Sequence, residues 1–127
     1  MYHELRTYRV ASPLMTKHLH DRMEQHMAGL FADNGLRLVG AWEMAVGREM
    51  PTYLYMLAWR DLAERDAAWD RFYADPRVAA MNDATYAAAG GDLFHDFDVA
   101  LLKPAPYVEW PALEDLPIRT GAGRDGE

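Results

Sequence analysis

Tyr53-Leu54-Tyr55-Met56-Leu57-Ala58-Trp59 decides how this chain folds. An unbroken apolar and aromatic run of this length is too short for a buried helix and suits a well-buried strand. Tyr53, Tyr55 and Trp59 alternate on one of its faces, with Leu54 and Met56 on the other. Upstream, a turn through Gly47 and Pro51 separates it from Leu36–Val46. There Leu36, Leu38, Trp42, Met44 and Val46 recur with period two and are predicted to share one face. Downstream, Asp61 reads as a helix N-cap, and Glu64 three residues on resembles a capping box. Two strands in succession, followed at once by a helix, form the middle of the chain.

Further out, Tyr2–Val10 alternates as a strand, with Leu5 on one side and Tyr2, Tyr8 and Val10 on the other. Ser12-Pro13 starts a helix whose Met15, Leu19, Met23, Met27, Leu30 and Phe31 recur at helical spacing until Asn34-Gly35 stops it. Leu62, Trp69, Phe72 and Tyr73 form the apolar face of the helix after Asp61. Asp75-Pro76 restarts the chain as a third, shorter helix to about Ala88, and Gly90-Gly91 ends it. Leu93–Lys103 is the last strand, closed by Pro104 and Pro106.

The order is βαββαβ with an extra short helix, which is the split βαβ pattern of a ferredoxin-like α+β fold. It predicts a four-stranded antiparallel sheet with helices on one face. The opposite face would present Leu5, Val39, Leu54 and Met56, which is too apolar to leave in water. Packing two such faces together gives a homodimer, the dimeric α+β barrel. Residues 1–106 form this domain. Residues 107–127 form a tail in which Tyr107, Trp110 and Leu113 can dock, while Gly121–Glu127 is expected to be disordered.

Composition removes several functions. Thirteen basic residues against 20 acidic ones give a net charge of −7, with no basic cluster to hold nucleic acid or an acidic membrane. The chain has no cysteine, so thiolate chemistry and Cys-based metal sites are excluded. No apolar run approaches the ~20 residues of a membrane span, and Met1–Arg6 lacks signal-peptide blocks. A cytoplasmic location is expected. Phosphate loops, nucleophile elbows and clustered carboxylate–His metal triads are also missing, so no cofactor is predicted.

Four stretches carry a resemblance. Tyr2-His3-Glu4-Leu5-Arg6-Thr7-Tyr8, Leu38-Val39-Gly40-Ala41-Trp42, Trp59-Arg60-Asp61-Leu62-Ala63-Glu64-Arg65 and Leu101-Leu102-Lys103-Pro104-Ala105-Pro106-Tyr107 resemble the NIPSNAP family in order and spacing. Ala74-Asp75-Pro76 fits the same pattern. The resemblance implies the dimeric barrel fold with a cavity between the sheet and its own helices. Similar barrels include cofactor-independent monooxygenases, polyketide cyclases, isomerases, haem-binding enzymes and proteins with no known activity. Plant polyketide cyclases of this kind place a Tyr and a His around a His-Pro turn. Here those positions read Phe72 and Val78 around Asp75-Pro76, so that acid–base pair is absent.

Within such a cavity the candidate chemistry is limited. His26 falls in the Met15, Leu19, Met23, Leu30 stripe at about 100° per residue. It is a candidate general acid or base, or else a hydrogen-bonded core histidine. His95 shares a strand face with Phe97, Val99 and Leu101; it either approaches His26, so that the two could divide acid and base roles, or sits at the strand end near Asp92 and solvent. Arg6 and Tyr8 share a face with Glu4. Arg6 either pairs with Glu4 in an ion pair reaching Arg65 or Asp66, or binds substrate. His18 and Arg22, one helical turn apart, either lie on a solvated helix flank or border the cavity mouth, where they could attract an anionic substrate. Tyr8, Tyr55, Trp59, Trp69 and Phe72 supply an aromatic lining suited to a planar organic molecule.

The leading reading is a cofactor-independent enzyme moving protons on a hydrophobic, aromatic or polyketide-like substrate by isomerisation, cyclisation or elimination. The alternatives are a cofactor-independent monooxygenase and a non-catalytic haem-binding, ligand-binding or interaction protein. In the haem case His18, His20 or His26 would be the axial ligand.

Overall fold

β1 (Tyr2–Val10) and β3 (Thr52–Trp59) pair antiparallel at the centre of the sheet, in a computed structural model that describes residues 1–116. β2 (Arg37–Glu43) and β4 (Phe94–Leu102) are the edges, giving the order β2-β3-β1-β4, all antiparallel. Residues directly opposite in an antiparallel pair share a face. Glu4 opposite Leu57, Arg6 opposite Tyr55 and Tyr8 opposite Tyr53 therefore define one face. His3, Leu5 and Thr7, opposite Ala58, Met56 and Leu54, define the other. This is the ferredoxin-like α+β architecture predicted by the element order.

All the long helices lie on the Tyr55 face. α1 (Pro13–Arg22), a π-helical turn (Met23–Met27) and α2 (Ala28–Asn34) run as one rod. α3 (Leu62–Ala74) and α4 (Pro76–Ala89) follow β3. Their boundaries are the punctuation marks of the sequence. Asp61 accepts from the Glu64 N–H at 2.8 Å, and Asp75 accepts from the Arg77 N–H at 3.0 Å. Gly35 and Gly90 adopt φ of 81° and 76°, the left-handed caps that glycine takes without strain. The core is aromatic: Phe31, fully buried, contacts Tyr55, Trp69 and Phe72 at ring separations of 5.6, 6.1 and 5.5 Å. Burial of such a ring contributes about 1.5–3 kcal/mol.

Three features depart from the sequence reading. α4 has 14 residues against 13 in α3, so the added helix is not short; its alanines propagate helix well to Gly90. β2 carries a bulge, with Leu38 opposite Leu57 but Gly40 opposite Met56. The extra residue flips the parity, so Leu38 faces the helices while Trp42, opposite Leu54, is half exposed on the other face. The predicted common face of Leu36, Leu38, Trp42, Met44 and Val46 therefore does not form. The third departure is the π turn. The Ala28 N–H bonds to the Met23 carbonyl five residues back, which widens the rod over the sheet.

The helix-free face is partly covered by the chain's own continuation. Trp110 packs on His3 at a ring separation of 4.7 Å, Leu113 is buried, and Glu114 lies 3.9 Å from Arg60. The disorder predicted for Gly121–Glu127 falls outside the described residues.

Candidate functional site

Between the helical rod, α3, α4 and the sheet lies a cavity of about 360 Å³, the size of a small-ligand pocket. Its floor is Arg6, Tyr8, Tyr53, Tyr55 and Phe97 from three adjacent strands. Leu19, Arg22, Met23 and Met27 of the rod, with Trp69, Phe72 and Tyr73 of α3, form two walls. Val78, Asn82, Thr85 and Tyr86 of α4 form a third, and Asp92, just before β4, and Phe94, its first residue, are part of the lining. The period-two strand pattern supplies the floor and the helical apolar stripes supply the walls, so the cavity is where their side chains fail to fill the space.

One end of this sheet face is sealed by a charge network. Glu4 is fully buried, and its Oε1 accepts from Arg65 Nε at 2.6 Å, Trp59 Nε1 at 2.9 Å and Trp69 Nε1 at 3.3 Å. Its Oε2 accepts from Arg6 Nε at 2.7 Å. The Arg6 guanidinium also lies 4.1 Å above the Trp69 ring. Burial works against the Glu4 charge, but the hydrogen bonds from Arg65 and Arg6 outweigh it and hold the carboxyl below its ordinary value. The ion pair from β1 to Arg65, anticipated from two charges in a buried strand, is formed. Burial likewise opposes the Arg6 charge, and Tyr55, Tyr8 and Glu4 together raise its pKa.

Beside Arg6 the Tyr8 and Tyr55 hydroxyls meet at 3.1 Å, with their rings stacked at 5.6 Å. Phe94 and Phe97 flank Tyr8 at 4.8 and 5.2 Å. Burial pushes the Tyr53 phenol up to about 12 and Tyr55 well above its ordinary value. Both therefore remain neutral hydroxyl donors at physiological pH. Across the cavity Arg22 is half-buried and, among the described residues, has no carboxylate and no hydrogen-bond partner. Burial pushes its guanidinium below the ordinary arginine value.

Of the residues singled out from sequence, Arg6, Tyr8, Arg22, Tyr55, Trp69 and Phe72 come together in this cavity. Trp59 does not. It lies fully buried beneath the Glu4 network as a donor and is not part of the lining. His26 is exposed and outside the cavity. A π turn advances less per residue than the about 100° assumed for an α-helix, so Met27 stays on the cavity side while His26 turns away from it. His95 is exposed as well. The β1–β4 register shifts between Arg9, opposite Asp96, and Val10, opposite Phe94, which leaves His95 as the extra residue.

The predicted His26–His95 pair is therefore not assembled, and among the described residues no histidine lines the cavity. His18 lies outside it too, and His20 instead meets Glu43 at 3.2 Å and the edge of Tyr53. None of the three is placed to ligate a haem in this cavity. Among the described residues no group of His, Asp and Glu could hold a metal ion, and no helix is long and apolar enough to cross a membrane. Asn82, Thr85 and Asp92 were not anticipated. Val78, Asn82, Thr85 and Tyr86 do repeat at helical spacing along one α4 face, a stripe that was present in the sequence.

A ferredoxin-like sheet with a ligand-sized cavity beneath its helices defines the class of protein. The chain belongs to the NIPSNAP family, whose profile matches residues 3–107. Similar solved structures include a NIPSNAP-like domain protein from Burkholderia xenovorans with a TM-score of 0.74. It is 16% identical, over 90% of this chain and 97% of that one. Another NIPSNAP domain protein from the same organism has a TM-score of 0.70 at 22% identity, over 86% and 99% of the two chains. A NIPSNAP family protein of unknown function from Agrobacterium tumefaciens has a TM-score of 0.70 at 23% identity, over 85% and 91%. At these identities the likeness establishes the fold. Among curated proteins no match was found.

Proposed function

We propose that the cavity binds a flat, hydrophobic small molecule of aromatic or polyketide-like character, and that the protein catalyses proton transfer on it without a bound cofactor. The observation that carries this reading is the Tyr8–Tyr55 hydroxyl pair beside Arg6, at the floor of an aromatic cavity. Hydroxyls already held in place, one of them the buried Tyr55 whose phenol burial keeps neutral, need no reorganisation and are suited to an oxygen on which negative charge develops. Asp92 is the one carboxylate among the lining residues and the candidate proton acceptor. In an isomerisation, Asp92 would take a proton from the carbon next to a carbonyl. The C–H electron pair would become the enolate double bond, and the tyrosine hydroxyls would stabilise the oxygen. In a β,γ-unsaturated ketone the enolate is conjugated with the second double bond, and return of the proton to the γ-carbon completes the isomerisation.

An enolisable bicyclic ketone such as 2-tetralone in deuterated buffer tests this. The protein should accelerate deuterium exchange at the α-carbons, and Tyr8→Phe should slow it by about 10²-fold. Exchange at the buffer rate in the presence of wild-type protein would refute the reaction.

The helix-free face supports a homodimer. Leu5, Leu54 and Met56 are half-buried there beside the half-exposed Trp42, and a second copy would cover them. Sedimentation should give a dimer that Trp42→Glu weakens; a wild-type monomer at high concentration would rule the pairing out.

A further inference from the structure

Arg22 is the feature that a purely structural cavity does not explain. It is the last residue of α1, where the rod widens into its π turn, and it lines the cavity with Met23 and Met27. A cation in apolar surroundings is costly unless a partner compensates it. Every other arginine near the core has one: Arg6 and Arg65 share Glu4, and Arg37 holds Glu64. Arg22 has no carboxylate partner among the described residues, and it is part of the cavity lining.

We infer that the cavity's ligand carries a single carboxylate, and that Arg22 is the residue that recognises it. This deepens the proposed function and rests on it. Pairing selects the class. Arg6 is already engaged by Glu4, and Asp92, the one acid in the lining, forms no ion pair with Arg22, so among the described residues Arg22 is the one lining cation without a carboxylate in contact. A carboxylate matches a single guanidinium, whereas a phosphate dianion would need a second unpaired cation. The guanidinium fork fits a carboxylate through two parallel hydrogen bonds. Trp69 and Phe72 would hold the attached ring system, and the Tyr8–Tyr55 hydroxyls would take a second oxygen.

The test is calorimetric titration of the full chain with 2-naphthoate and with its neutral isostere 2-naphthamide. The acid is expected to bind at least about tenfold more tightly, since charge-assisted hydrogen bonds exceed neutral ones by roughly that factor. Arg22→Met should bring the acid down to the amide's affinity, and Arg22→Lys should keep part of the preference. Equal affinity of acid and amide for the wild type would overturn the carboxylate assignment while leaving the cavity reading intact. An acid preference that survives in Arg22→Met would overturn the role of Arg22. Binding of neither compound would overturn the carboxylate assignment and the proposed function together.

Discussion

The two ends of one sheet face treat their arginines in opposite ways. At the Glu4 end a single carboxylate takes four donors, from Arg6, Arg65, Trp59 and Trp69, and the space is closed. At the other end Arg22 lines a cavity without a carboxylate paired to it among the described residues, beside Tyr53 and Tyr55, whose hydroxyls burial keeps neutral. The closed end has the form of a stabilising element, in which losing one partner strands several others. The open end has the form of a binding element, in which the missing partner is a ligand. Arg6 belongs to both, held by Glu4 on one side and lining the cavity on the other.

The largest expected effect falls at the closed end. Glu4→Ala leaves two guanidinium groups and two indole N–H groups without their acceptor, and should cost about 3–5 kcal/mol in a urea unfolding titration. A loss below about 1 kcal/mol would mean that water replaces the carboxylate readily and that the end is not sealed.

Acid should act through the same network. The Glu4 carboxyl is held below its ordinary value of about 4.5, so the unfolded chain takes up the proton first. Its contribution is complete above that pH and is lost as the pH falls through the lower, folded-state value. His3, buried under Trp110, is lowered from about 6.5 by burial and by the N-terminal charge. Its contribution has the same sign and begins to fall at the higher pH. Urea midpoints measured from pH 8 to pH 3 should therefore decline in two stages, and His3→Gln should remove the upper one alone.

Trp59→Phe deletes one donor to Glu4 while keeping an aromatic ring in place. It should cost about 1–2 kcal/mol in the same assay. The smallest effect belongs to the open end. Arg22→Met should change stability by no more than about 0.5 kcal/mol, because no intramolecular partner is lost. A loss comparable to that of Glu4→Ala would erase the contrast between the two ends.

The contrast was partly legible in the sequence. Glu4, Arg6 and Tyr8 share a strand parity, and two charges on a buried face require partners, which pointed to Arg65 or Asp66 on α3. The helix boundaries were written in Asp61, Gly35 and Gly90, residues whose chemistry caps helices wherever they occur. Helical spacing left Arg22 open between the cavity mouth and a solvated helix flank. His26, His95 and Trp42 went astray for one physical reason. Each lies at or beyond a single-residue irregularity, the π turn in the rod and the bulges in β4 and β2, and periodicity carries no record of such insertions. Asp92 left no signal, because its place depends on where the turn after Gly90 delivers the chain.

The most direct measurement of an open, ligand-binding end is a methionine-methyl NMR titration with 2-naphthoate. Met23 and Met27 line the cavity, whereas Met44 and Met50 lie outside it. The ring current of a bound naphthalene should shift the Met23 and Met27 methyl signals and leave Met44 and Met50 in place. Unmoved Met23 and Met27 signals at saturating ligand, or equal shifts at all four, would contradict a ligand site beneath these helices.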